Sequence, residues 1–432
     1  MDAGLGTTMA ATVVSTVAQL NVTQLNATQP DIDYLRASSF RYFGICVAIW
    51  AIFVGSIGNL LTILAFFSNS KLRTTFNVFI VNLSIVDFLT ASLMLPFNLA
   101  GYVQMAWPFG PYDFTARFQA YSYFCCGYTS VVFLVTITVN RFIGVVKPGK
   151  YNDYFNKQRV ICILVFCWTF APICLIPMLT THPICAKQNP SNPTNSITGF
   201  HPKQFICTFV CVPWDEYMQV ARAVFQFLPL VIMVVLYSII FTRLDRQRER
   251  IHATMRKGRS ASNATGINSV SVSEASPTKS VSTDQNKRSV SIVKDKNNLR
   301  KSIMLRKTSS ADMSNAKRIK DNRRMLLISV TICIGFMITF LPSVIVNLPP
   351  SATRRAFDVR VHMAASNMAW FNSSINPIIY VLLNRRFRKE YKRLVLMFFG
   401  RVRGSFMHDS LSTTTPQQKH KVGINVSMQP SA

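Results

Sequence analysis

Acidic residues are scarce: 18 Asp and Glu stand against 47 Lys and Arg, a formal net charge of +29. HExxH, GxSxG and paired-acid motifs are missing, which removes the sequence basis for a metalloprotease, a serine hydrolase or two-carboxylate chemistry. The ten cysteines form no dense framework. Cys46, Cys125, Cys126, Cys162, Cys167, Cys174 and Cys333 lie in apolar runs, where Cys behaves as a small hydrophobe. Only Cys185, Cys207 and Cys211 fall in a polar stretch, and no spacing matches zinc ligands. No Cys follows Cys333, which excludes a palmitoyl anchor on the tail. The first 30 residues lack a basic n-region and a long apolar h-region, so a cleaved signal peptide is not expected. Paired internal repeats of the kind seen in transporters are absent as well.

What is abundant is apolar sequence, 49% of the chain. Seven apolar segments stand out, at roughly 41–67, 76–103, 114–146, 159–180, 217–242, 323–348 and 359–383. Each is long enough to cross ~30 Å of hydrocarbon at about 1.5 Å per residue. The positive charge lies between them: from Arg243 to Arg324 there are 21 Lys and Arg against 7 Asp and Glu. That placement fits the positive-inside bias of a membrane protein and argues against a nucleic-acid surface. Lys71 and Arg73, Arg141 to Arg159, the 243–322 stretch and Arg385 to Lys389 all mark one side as cytoplasmic. The fold class expected is an all-α seven-helix bundle at the plasma membrane. An extracellular tail (1–40) precedes helices 1–5 (41–242). A basic cytoplasmic loop (243–322), read as disordered in its middle, leads to helices 6–7 (323–383). A cytoplasmic tail (384–432) begins with a short amphipathic helix on the lipid surface. Asn21 and Asn26 head sequons on the outer tail and are expected to be glycosylated.

Polar groups inside apolar helices are costly and mark function by default. Together with aromatic and proline markers they form the set Asn59, Asn82, Asp87, Ser130, Asn140-Arg141-Phe142, Pro229, Tyr237, Phe336, Phe340, Pro342, Asn372, Ser373 and Asn376-Pro377-Ile378-Ile379-Tyr380. This set, in this order, resembles the rhodopsin-like (class A) G-protein-coupled receptors over about 41–398. The Asn-Arg opening of the tripeptide is similar to that of melatonin receptors and the insect receptor moody.

The resemblance implies a receptor that passes an extracellular signal to a heterotrimeric G protein, with arrestin and receptor kinases as further partners. It implies coupling through Asn140, Arg141, Phe142, Tyr237 and Tyr380, and a hinge at Phe336, Phe340, Pro342 and Pro377. Asn59, Asp87, Ser130, Asn372, Ser373 and Asn376 would form either a sodium site, which suits one carboxylate plus neutral oxygens, or a water-linked polar network. The family's acid before the Arg is Asn140 here, and the matching acid on the sixth helix is Asn322, beside Asp321. A weak resting lock and raised basal signalling are expected.

By the same analogy the ligand pocket comprises Phe97, Tyr123, Phe124, Tyr128, Arg222, Phe225, Val344, Asn347, Ser366 and Trp370. Tyr123 replaces the Asp of amine receptors and Trp370 the Lys of opsins, which disfavours an amine ligand and excludes a retinal Schiff base. A lipid, a small acidic or neutral molecule, an indole or a peptide remain open. Arg222 either pairs with an acidic ligand group or snorkels outward to water or Glu216. The family's Cys at the top of the third helix is Ala116 here, and Cys125 lies about 13 Å deeper along a helix. The usual bridge is therefore not expected. A bridge within the second outer loop, Cys185 to Cys207 or to Cys211, takes its place. A membrane transporter is the competing class.

Overall fold

The computed structural model describes residues 4–110, 113–188, 194–201, 204–211, 214–266 and 324–412, with only the backbone for 4–34, 186, 188, 215, 247–248, 250–266, 351–352, 355 and 399–412. The chain folds as an all-helical bundle of seven long helices and an eighth at its edge. They are α1 (Gly4–Ser68), α2 (Thr75–Gln104), α3 (Phe114–Val146), α4 (Lys157–Cys174), α5 (Glu216–Arg246, its backbone continuing helical to Gly266), α6 (Arg324–Asn347), α7 (Val359–Leu383) and α8 (Arg385–Ser412). Arg, Gln, Glu, Lys and Ala after Arg243 are good helix formers, which accounts for α5 outrunning its apolar segment into the stretch read as a loop. The rest of that loop, Asp321, Asn322 and the side chains of Asn21 and Asn26 lie outside the described residues.

Six of these helices, α1 to α6, are long and apolar enough to cross a membrane. The seventh apolar segment, 359–383, forms helix α7 as expected; it is less apolar than the other six because it carries Asn367, Asn372, Ser373, Ser374 and Asn376, all buried. These groups face inward, where Ser373 and Ser374 donate to carbonyls of their own helix and Asn376 Nδ2 donates to Asp87 at 2.7 Å. Lipid-facing character is plainest on α1, where Trp50, Phe53, Ile57 and Leu64 are exposed.

α3 runs through the middle, touching α2, α4 and α5, while α1 lies along α7 and α2. Two π turns interrupt helices just before a proline: Thr90–Met94 ahead of Pro96, and Ala223–Phe227 ahead of Pro229. A proline has no N–H to give the preceding turn, and the wider turn absorbs the mismatch. The α1–α7 contact needs glycine. A Cβ on Gly58 would lie 2.6 Å from Pro377 Cβ, and one on Gly55 2.7 Å from Ala91 Cβ. Gly58→Ala is therefore expected to destabilise the bundle by about 1–3 kcal/mol through overpacking. Thermal unfolding of the purified protein checks this; an unchanged midpoint would contradict the contact.

One end of the bundle carries a short antiparallel hairpin, β1 (Thr198–His201) with β2 (Ile206–Phe209), in register Phe200 to Cys207. It packs on α3, and Thr198 Oγ1 donates to the Met178 carbonyl at 3.0 Å. At the same end Asp358 caps α7. Hydrogen bonds from Arg360 hold its carboxyl down at about 2, so the cap stays ionised well below pH 4.

Candidate ligand cavity and coupling site

A narrow cavity of about 70 Å³ runs from the hairpin down between α3, α5, α6 and α7. This volume holds a few water molecules but no drug-sized ligand, a closed arrangement of the cavity. Tyr123, Phe124, Tyr128 and Trp370 wall it, with Ser366 at its side. Tyr123 and Trp370 join α3 to α7, the indole Nε1 donating to the phenol oxygen at 3.1 Å. Three residues expected in the pocket do not line it. Phe97 is exposed and lies beside Trp107, Phe225 stacks on the far face of Tyr128 at 4.8 Å, and Val344 is buried elsewhere on α6. Phe225 lies within a π turn and Phe97 just after another π turn and Pro96, so regular helical spacing places both a little off.

The mouth of the cavity is built around Asn347. It is the last residue of α6, so its carbonyl has no partner within the helix. Arg222 Nη1 donates to that carbonyl at 3.1 Å and Arg354 Nη1 at 3.4 Å. Cations at a helix C-terminus are favourable. Gln204 Nε2 from the hairpin turn donates to Asn347 Oδ1 at 3.0 Å, so the hairpin is tied to the same point. Arg222 is half-buried and lines the cavity; it turns inward rather than snorkelling to water. The sequence reading missed Gln204, Ile206 and Gln226 as lining residues. Gln226, four residues after Arg222 on one helix face, could have been found by spacing; the hairpin residues carry no periodic signal.

The cavity's floor is polar. Ser130 Oγ donates to Asp87 Oδ1 at 3.0 Å, and Asn376 Nδ2 to Asp87 Oδ2 at 2.7 Å. Asn372 and Ser373 line the same space. Asn59 Nδ2 donates to the Ser373 carbonyl at 2.7 Å, a reach that the α1 glycines permit. Among the described residues no cationic side chain is within salt-bridge distance of Asp87, and the buried Asn376 Oδ1 has no hydrogen-bond partner. A buried carboxylate ringed by neutral oxygens suits a hard monovalent cation. Just above, Phe336 and Phe340 stack at 4.6 Å, and Phe340 reaches the cavity two residues before Pro342.

At the opposite end, Arg141 is 8% exposed and held without any carboxylate among the described residues. Its Nη2 donates to Asn140 Oδ1 at 2.6 Å, and its guanidinium lies 4.0 Å from the Phe76 ring centroid. A desolvated cation–π contact of this kind contributes ~2 kcal/mol. Asn140 Nδ2 donates in turn to the Tyr151 hydroxyl at 3.0 Å, and Met325 Sδ is 3.4 Å from Arg141 Nη1. Asn140 and Arg141 thus come together as expected. Phe142 only packs at the core edge, Tyr237 accepts from Thr138 at 3.4 Å, and Tyr380 stacks on Phe387. Phe76, Tyr151 and Met325 were not legible as partners, since each looks like ordinary core or loop.

The loop bridge is Cys185–Cys211, which leaves Cys207 as a free thiol. Cys207 is buried in the apolar cluster that includes Ala116, the position where the resemblance expects a cysteine.

A bundle of seven helices, a covered polar cavity and a buried arginine at the far end define a seven-helix membrane receptor. The pattern described as "7 transmembrane receptor (rhodopsin family)" matches residues 58–380. The chain belongs to that family. It is 24% identical over 390 residues to "G-protein coupled receptor 84" of Homo sapiens, covering 82% of this chain and 92% of that one. It is 24% identical to "G-protein coupled receptor moody" of Drosophila melanogaster, covering 85% of this chain and 54% of that one. To "Melatonin receptor type 1C" of Gallus gallus it is 23% identical, with 81% of each chain covered. Members of the family are signalling receptors of the plasma membrane rather than enzymes, and membership implies signalling through a G protein.

Proposed function

We propose that this receptor passes an extracellular, non-amine ligand's signal to a heterotrimeric G protein and does so with raised basal activity. The hairpin end faces the outside and the Arg141 end the cytoplasm, in keeping with the basic residues flanking the latter. The carrying observation is Arg141, buried and held by the neutral Asn140 and by Phe76 instead of by an acid. Opening of α6, hinged at Pro342, frees the guanidinium to meet the G protein beside Tyr237 and Tyr380. Arrestin and receptor kinases act on the same face, and Asn21 and Asn26 carry glycans. Asp87, Ser130, Asn372 and Ser373 hold sodium, which favours the closed form. The test is second-messenger output without agonist in cells expressing the chain. Output above that of mock-transfected cells supports the reading, and output at the mock level refutes raised basal activity. A transporter would instead show substrate flux with no nucleotide exchange.

The ligand bears an anionic group that docks at Arg222. Support comes from the inward turn of Arg222, which lines the cavity and whose Nη1 donates to the Asn347 carbonyl at its mouth. Arg222→Ala is expected to weaken an acidic agonist at least tenfold, the scale of a charge-assisted hydrogen bond. Unchanged potency would favour the second reading, a neutral indole, for which the "melatonin receptor" names among the relatives speak.

A further inference from the structure

Two guanidinium groups from different parts of the chain meet at the mouth of the cavity. Arg222 comes from α5, and Arg354 from the short helix Ser351–Ala356 in the turn between α6 and α7. Both donate through Nη1 to one oxygen, the Asn347 carbonyl, at 3.1 and 3.4 Å. Their Nη1 atoms therefore lie no further apart than those two distances together. Arg354 is itself fixed from α7: the buried His362 donates from Nε2 to the Arg354 carbonyl at 3.0 Å. Both arginines are half-buried, so their charges act through less water than surface charges do.

Like charges held side by side attract a doubly charged anion more strongly than a singly charged one. Shape points the same way. One guanidinium fork fills a carboxylate, whereas a phosphate monoester presents three acceptor oxygens and a charge of about −2, enough for two forks. Gln204 Nε2 brings a further donor to the same point, 3.0 Å from Asn347 Oδ1. Below the arginines the lining changes character. Tyr123, Phe124, Tyr128 and Trp370 offer aromatic faces, and Gly127 keeps the way down open, since a Cβ added there would meet open space. A cationic mouth above a slim aromatic slot suits an amphiphile, with its apolar body beneath its charge.

We propose that the ligand is a phosphate monoester on a slim apolar body, its phosphate held between Arg222 and Arg354. This rests on the docking of an anionic group at Arg222 proposed above, and adds to it a second negative charge and a second arginine. On entry the phosphate takes over both forks from the single Asn347 carbonyl, so the ligand ties α5 to the turn between α6 and α7.

The test measures binding of three soluble probes to the full-length receptor in phosphatidylcholine nanodiscs, by saturation-transfer NMR against empty nanodiscs at about pH 8. Phenyl phosphate carries two negative charges there, methyl phenyl phosphate one and phenol none. Phenyl phosphate is expected to bind roughly tenfold more tightly than its methyl ester, the scale of one more charge-assisted fork. Arg354→Gln abolishes that preference, whereas Arg222→Gln weakens both anions at least about tenfold. Equal binding of the two anions to the wild type would overturn the dianion, and a preference that survives Arg354→Gln would overturn the pairing of the two arginines. In either case a loss of both anions in Arg222→Gln leaves the docking of a single charge standing. Phenol binding as well as the anions, or no probe binding above empty nanodiscs, would overturn that docking too. Circular dichroism shows whether a variant is unfolded. Should Arg354→Gln unfold, Arg354→Lys is read instead; it keeps the charge without the fork, with the preference cut to about threefold and an undiminished preference overturning the pairing.

Discussion

Asn140→Asp lowers agonist-free signalling by roughly 5- to 30-fold. The substitution is nearly isosteric and puts a carboxylate where Asn140 Oδ1 now accepts from Arg141 at 2.6 Å. Tyr151 can reverse its hydroxyl and donate to the new carboxylate, so no buried donor is left over. A hydrogen bond between two charged groups is stronger than its neutral counterpart by about 1–2 kcal/mol. The added stability belongs to the closed form alone, because opening removes Arg141 from this contact. A shift of that size moves the closed–open equilibrium by the stated factor. Second-messenger output without agonist, normalised to surface receptor, checks it. Equal output from both forms means that Asn140 does not set the resting equilibrium.

Asp87→Asn abolishes sensitivity to sodium while leaving the fold intact. Wild-type protein is expected to show several-fold lower agonist-free nucleotide exchange in sodium chloride than in choline chloride at the same ionic strength. In the Asn variant the amide oxygen still accepts from Asn376 Nδ2, 2.7 Å from Oδ2 in the wild type, while the amide nitrogen takes the place of Oδ1 and donates to Ser130 Oγ, whose hydroxyl turns away; the variant brings no charge to the site. Asp87→Ala removes both acceptors, leaving two buried donors unpaired and a cavity. It is expected to cost about 3–6 kcal/mol and to reduce surface expression sharply. Equal exchange in the two salts for the wild type would leave the Asp87 cluster as a polar network.

The bundle was legible from the chain because lipid forces every span to be long and apolar or else internally satisfied. The exception is instructive. α7 is marked less by apolarity than by Ser373 and Asn376, whose partners Asn59 and Asp87 sit on α1 and α2. That Asp87 needs a partner followed from a charge at mid-membrane, whereas its grouping with Ser130 and Asn376 followed from the family resemblance. The upper cavity was less legible. Phe97 follows and Phe225 lies within a helix irregularity that a uniform spacing does not track, and Gln204 comes from a hairpin without helical periodicity. The hold on Arg141 was half legible. Asn140 announced the missing acid, whereas the Phe76 face replacing it belongs to the first turn of α2 and gives no sign of that role in sequence.

Guanine-nucleotide exchange on purified heterotrimeric G proteins, with the receptor in nanodiscs and no ligand added, tests the central claim most directly. The account predicts that wild-type protein accelerates exchange on at least one G-protein class. It also predicts that Arg141→Ala returns the rate to that of empty nanodiscs. Acceleration that survives Arg141→Ala, or no acceleration across the G-protein classes, would contradict it.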